Sequence, residues 1–96
     1  MDWIETIEVR SYRWPETQKA IARFKQISKA FKEKGVREIQ LLQSLAIDND
    51  LNISISWEGD APTTGKSRLG LQLAAAFAEF GQIHHSGWLN HGSPEK

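Results

Sequence analysis

The most regular pattern in the chain is the alternation of apolar and polar residues from Leu51 to Glu58, LNISISWE. Because successive side chains of a strand point to opposite faces, this pattern predicts a strand that is buried on one face only. Such strands are typical of antiparallel sheets. Gly59 and Pro62 then break the strand before an alanine-rich segment begins.

The alanine-rich segment predicts a helix from Ser67 to Phe80. Its apolar residues recur at helical spacing and form one stripe, which consists of Leu69, Leu73, Ala76, Phe77 and Phe80. The alanines raise the helix propensity of the segment. Gly81 follows directly, and we expect it to end the helix in a left-handed conformation, which glycine adopts most easily.

The same reasoning predicts four further elements. They are a strand Trp3–Ser11 whose apolar face is interrupted by Glu5, a helix Pro15–Lys34 ended by Gly35, a strand Val36–Ile47 and a strand Gln82–Leu89. Between the two middle strands lies Asp48-Asn49-Asp50, a turn sequence, because Asp and Asn bond their own backbone. These two strands are therefore expected to form a hairpin.

The predicted order is β-α-β-β-α-β, the plan of a ferredoxin-like α+β fold. This plan has a four-stranded antiparallel sheet, in the order 4-1-3-2, with both helices on one face. We expect residues 1–89 to form this single domain and residues 90–96 to form a polar C-terminal tail. The side chains expected to face the helices are Trp3, Ile7, Val9, Ile39, Leu41, Leu45, Leu51, Ile53, Ile55, Trp57 and Ile83.

The amino-acid composition argues against several classes of protein and of functional site. The chain has 12 basic and 12 acidic residues, so its net charge does not favour nucleic acid as a partner. It contains no cysteine, which excludes disulfides, thiolate catalysis and cysteine metal sites. The N-terminus, MDWIETIE, does not resemble a signal peptide, and no segment reaches the ~20 apolar residues that span a bilayer. We therefore expect a cytoplasmic protein that does not contact membranes.

Gly65-Lys66-Ser67 resembles the end of a phosphate-binding loop. The full motif requires a glycine, four further residues and then Gly-Lys-Ser/Thr, between a strand and a helix. The position of the first glycine is held by Asp60, and an aspartate there would repel a phosphate. We therefore favour a loop in which Thr64 or Ser67 caps the following helix, with nucleotide binding at residues 65–67 as an alternative.

The sheet face that carries no helices is the predicted location of a site. It is expected to expose Ile4, Thr6, Glu8, Arg10, Gln40, Leu42, Ser44, Ser54, Ser56, Glu58, His84, Ser86, Trp88 and Asn90. This set is too polar to form a core. Either the face is simply in contact with water, or two copies pack sheet on sheet and enclose a pocket of mixed polarity.

The element order, the length and the half-polar sheet face resemble the dimeric α/β-barrel superfamily, which includes the antibiotic biosynthesis monooxygenases. The resemblance covers residues 3–89 and is one of pattern only. It implies a homodimer, with a pocket between the sheet and its helices or within the dimer. Many members of that superfamily need no metal or organic cofactor, so the resemblance implies none here. The haem-degrading branch uses a helical histidine, which the segment Ser67–Phe80 lacks.

Candidate chemistry on the open face centres on Glu8 and His84. The strand order places the last strand beside the first, so these two side chains are expected to be neighbours, and a carboxylate beside an imidazole can make a general base. Other expected pocket residues are Thr6, Arg10, Ser54, Ser56, Ser86 and Trp88. The adjacent His84 and His85 point to opposite faces, so no metal site is expected, and His85 is interpreted as a packing residue.

These observations favour a small homodimeric protein that binds a small organic ligand, and they are compatible with a cofactor-free, monooxygenase-like enzyme. The alternative is a non-catalytic interaction module. It would use the basic helix 15–34 on an acidic partner, through Lys19, Arg23, Lys25, Lys29, Lys32 and Lys34.

Overall fold

The computed structural model describes residues 1–27 and 33–94. Its elements are β1 (Trp3–Ser11), α1 (Trp14–Ile27), β2 (Val36–Gln43), β3 (Asp50–Trp57), α2 (Arg68–Phe77) and β4 (Gly81–Leu89). The predicted β-α-β-β-α-β order is confirmed. Over the two described ranges, no helix is long and apolar enough to cross a bilayer.

The four strands form one antiparallel sheet in the order β2-β3-β1-β4. This is the predicted 4-1-3-2 order, with β1 in the interior between β3 and β4. The register pairs Ile7 of β1 with Ile53 of β3 and with His85 of β4. From Trp3 to Val9, each β1 residue whose side chain faces the helices is therefore flanked by one residue of β3 and one of β4 on the same face.

The core lies between the sheet and the helices. Ile7, Ile53, Ile55 and Phe77 are completely buried there, and Trp3 stacks on Trp57 with ring centroids 5.6 Å apart. The rest of the buried apolar set is Val9, Ala20, Phe24, Leu51, Leu69, Leu73 and Phe80, with Ile39, Leu41 and Ile83 partly buried against it. Burial of these side chains, at ~1.5–3 kcal/mol for each large one, is the main force that holds the helices on the sheet.

The second strand is shorter than predicted. It ends at Gln43, and Leu45, which was expected in the core, is fully exposed. The cause is a local turn, because the Ser44 hydroxyl accepts hydrogen bonds from the backbone N–H groups of Ala46 and Ile47. A serine that bonds its own backbone in this way ends the regular ladder.

The second helix is also shorter than predicted, at Arg68–Phe77. Leu69, Leu73, Phe77 and Phe80 are buried as expected, whereas Ala76 is exposed. The prediction that Gly81 ends this helix in a left-handed conformation was wrong. Gly81 begins β4 with a negative φ, and a Cβ there would lie 2.1 Å from the backbone oxygen of Arg10. The glycine is thus required by the close approach of β4 to β1.

The first helix begins at Trp14, one residue before the predicted start, with Pro15 in its first turn. Residues 28–32 of the predicted helix, which include Lys29 and Lys32, lie outside the described residues. The predicted end at Lys34 was wrong, because Lys34 and Gly35 form a turn in which Gly35 has a φ of +92°.

Candidate functional site

The open face of the sheet brings all the predicted site residues together in four rows across the strands, and Arg10, between Asp50 and Gln82, is in the row at one end. Glu8 lies opposite His84 on β4 and opposite Asn52 on β3. The next row toward the N-terminus of β1 is Thr6 between Ser54 and Ser86, and the one beyond it is Ile4 between Ser56 and Trp88. The placement of Glu8 beside His84, predicted from the strand order, agrees with the register.

A groove of about 680 Å³ lies at one end of this face. Of the predicted residues, Glu8, Arg10 and His84 line it, whereas Thr6, Ser54, Ser56, Ser86 and Trp88 lie farther along the strands. The remaining lining consists of Val9, Leu42, Gln43, Ser44, Asp50, Leu51, Asn52, Gln82 and Ile83. This volume is in the range of sites that bind small organic molecules.

Arg10 is held in the groove by Asp50, which sequence reasoning had assigned to a turn. The guanidinium donates from Nε to Oδ1 at 2.8 Å and from Nη2 to Oδ2 at 2.9 Å. These hydrogen bonds lower the pKa of Asp50 and raise that of Arg10. Because the carboxylate already neutralises the guanidinium, the groove is poorly suited to an anionic ligand.

Glu8 and His84 are both exposed. The two residues are paired in the register of β1 and β4, but no hydrogen bond joins their side chains in the described part of the chain. A carboxylate–imidazole hydrogen bond would therefore have to form when a ligand occupies the groove. Trp88 is fixed more firmly, since its indole Nε1–H donates to Thr6 Oγ1 at 3.1 Å while 60% of the residue remains exposed.

A second polar cluster lies on the opposite, helix-covered face, around the completely buried Glu5. Oε1 accepts from Trp57 Nε1 at 3.0 Å and from Ser67 Oγ at 2.6 Å, and Oε2 accepts from the backbone N–H of Ser67 at 2.9 Å. His85 Nε2 lies 2.5 Å from Oε2, and the imidazole side chain is only 6% exposed. The cluster joins β1, β3 and β4 to the start of α2, and it agrees with the interpretation of His85 as a packing residue.

Ser67 connects this cluster to the helix and explains the Gly-Lys-Ser motif. Its Oγ accepts from the backbone N–H of Gly70 at 2.8 Å, so Ser67 is the N-cap of α2, as the preferred interpretation predicted. A phosphate would need the backbone N–H and the hydroxyl of Ser67, but the Glu5 carboxylate already binds both. These contacts favour the capping interpretation over nucleotide binding at residues 65–67.

In the described part of the basic helix, one basic side chain, that of Arg23, forms an ion pair. Arg23 lies 3.4 Å from Glu79 and covers the ring of Phe80. An acidic partner for this helix stays a prediction.

Comparison with known proteins identifies the fold of the chain, but it does not identify a sequence family. No protein-family model and no curated protein sequence matches the chain. Several solved structures are similar over nearly the whole chain, among them the following three. One is a proposed antibiotic biosynthesis monooxygenase from Deinococcus radiodurans, with a TM-score of 0.70 and 11% identity, covering 100% of this chain and 98% of its own.

The second structure is SnoaB, a cofactor-independent oxygenase from Streptomyces nogalater, with a TM-score of 0.64 and 16% identity, covering 98% of each chain. The third is a dimeric ferredoxin-like protein from an uncultured marine organism, with a TM-score of 0.61 and 9% identity, covering 99% of this chain and 92% of its own. The chain therefore has the ferredoxin-like fold. The resemblance predicted from the sequence is confirmed at the level of the fold.

Proposed function

We propose that the protein is a homodimer that encloses a small, uncharged organic molecule at the open sheet face and oxidises it with molecular oxygen, without a cofactor. The observation that supports this most directly is the groove of about 680 Å³ in which Glu8 and His84 are register neighbours. The groove opens on the helix-free face, so a second copy packed on that face would close it.

Two exposed apolar side chains support pairing through this face. Leu42 is 48% exposed at the groove, and Trp88 lies at the other end of the face. Burial of such side chains against a second copy would favour association. One of the similar structures is a dimeric ferredoxin-like protein, which supports the proposal of a dimer.

The proposed reaction begins with proton removal. His84, oriented by Glu8, takes a proton from an activated methylene of the ligand, and the resulting carbanion transfers electrons to O₂. The methylene then becomes a carbonyl. It gains one oxygen atom, its two hydrogens leave with the second oxygen atom as water, and the ligand supplies all four electrons. An external reductant is therefore unnecessary, in agreement with the cofactor-independent oxygenase that shares the fold.

Anthrone is a suitable probe, because it is uncharged and its activated methylene is oxidised to the ketone of anthraquinone. We expect the protein to catalyse anthrone-dependent oxygen uptake, and Glu8→Gln or His84→Ala to lower the initial rate by about 100-fold, the usual contribution of a general base. Both residues are exposed, so the unfolding temperature should change little.

Glu79→Gln is the matched control, since Glu79 is an exposed glutamate just after α2, on the helix side of the sheet and outside the groove. It should leave the rate unchanged. If the wild-type protein fails to accelerate anthrone oxidation, or if His84→Ala keeps the full rate, the proposed reaction is wrong.

A further inference from the structure

A projecting side chain and a groove lie at opposite ends of the same sheet face. Trp88 stands beside Ile4 on β1, and the groove is lined by Arg10 and its register neighbour Gln82. Ile4 and Arg10 are six residues apart on β1, a separation of about 20 Å along the strand. One surface thus carries both a projection and a depression.

A two-fold axis would bring these two features together. Such an axis would lie between two stacked sheets, at the level of Ile7, and would run perpendicular to the strands. Rotation about it places the Ile4 end of one sheet over the Arg10 end of the other. Trp88 would then lie above Gln82 and Arg10 of the opposite sheet. The contact is self-complementary, as a two-fold interface requires, and it occurs twice.

The side chains that would meet are chemically suited to each other. The Arg10 guanidinium is held by two hydrogen bonds to Asp50, yet its side chain is 62% exposed. The indole of Trp88 has its N–H bonded to Thr6, so its ring is already positioned. A planar guanidinium stacks well on an aromatic face.

We propose, on the basis of the homodimer proposed above, that each groove is completed by the partner subunit's Trp88, which stacks on Arg10 and closes the site. Neither subunit then has a complete site alone. Water is excluded from the groove only in the dimer, where the exposed Glu8 and His84 become enclosed.

Mixed dimers test this inference. Trp88→Ala and His84→Ala subunits carrying different affinity tags are co-expressed, and the heterodimer is purified and assayed for anthrone-dependent oxygen uptake. One of its two grooves combines an intact His84 with an intact Trp88 from the other subunit. We expect each homodimeric variant to be nearly inactive and the heterodimer to regain about half of the wild-type rate.

The control heterodimer combines Glu8→Gln with His84→Ala. Both residues line the groove of their own subunit, so neither groove is intact, and we expect no recovery. A Trp88→Ala/His84→Ala heterodimer that stays as inactive as its parents overturns the inference while leaving the proposed function intact. A wild-type protein that is monomeric, or that does not oxidise anthrone, overturns the proposed function and the inference with it.

Discussion

Replacement of Glu5 by alanine is expected to lower the free energy of unfolding by about 3–5 kcal/mol. The carboxylate accepts hydrogen bonds from Trp57 and twice from Ser67, and it contacts His85. Its loss leaves buried polar groups without a partner and removes the link between α2 and the sheet. For a domain of this size, the unfolding temperature should fall by about 15 °C or more. Thermal and urea unfolding, followed by circular dichroism, measure both quantities.

Glu8→Ala is the matched control, because Glu8 is the same residue type on the same strand but points to the open face. It should change the free energy of unfolding by at most about 0.5 kcal/mol. If the two variants lose the same stability, the Glu5 cluster does not hold the helix on the sheet.

Gly70→Ala is expected to cost about 2–3 kcal/mol, although alanine normally favours a helix. An added Cβ would lie 1.8 Å from Glu5 Oε2, and Glu5 is completely buried. The carboxylate can move aside only by breaking its hydrogen bonds to Ser67 and its contact with His85. Urea unfolding of the variant measures the cost.

The same substitution in the Glu5→Ala background gives the decisive comparison. With the carboxylate absent, Gly70→Ala should be neutral or should stabilise the protein by up to about 1 kcal/mol, which corresponds to a coupling of about 3 kcal/mol. Ala75→Gly, at an exposed position of α2, controls for helix propensity and should cost about 1 kcal/mol in both backgrounds. Equal costs of Gly70→Ala in the two backgrounds would show that the glycine is not required by Glu5.

The sheet could be predicted from the sequence because alternation is a local signal. Leu51, Ile53, Ile55 and Trp57 share one face and are all buried. The ends of elements were less predictable. The apolar residues Leu45 and Ile47 continue the pattern of β2, but the hydroxyl of Ser44 diverts the chain before them. The position of Gly81 after the alanine-rich segment predicts a helix end. The glycine is instead required because the backbone of β1 lies too close to admit a Cβ atom.

The candidate site was predictable to the extent that it follows from strand order. Once β4 is placed beside β1, Glu8 and His84 become neighbours on the open face. Asp50 was missed because its residue type suits a turn, and its pairing with Arg10 depends on the register of β1 with β3. The Glu5 cluster joins three strands and the N-cap of α2, so no local pattern reveals it. Its one signal was a glutamate in an otherwise apolar face.

Molar mass in solution, measured by light scattering over a dilution series, tests most directly whether the open face is an interface between two copies. The proposed dimer predicts about twice the chain mass of 10.9 kDa, maintained down to micromolar concentration. A mass of 10.9 kDa at every concentration would contradict the account, because the groove at Glu8 and His84 would then stay open to water.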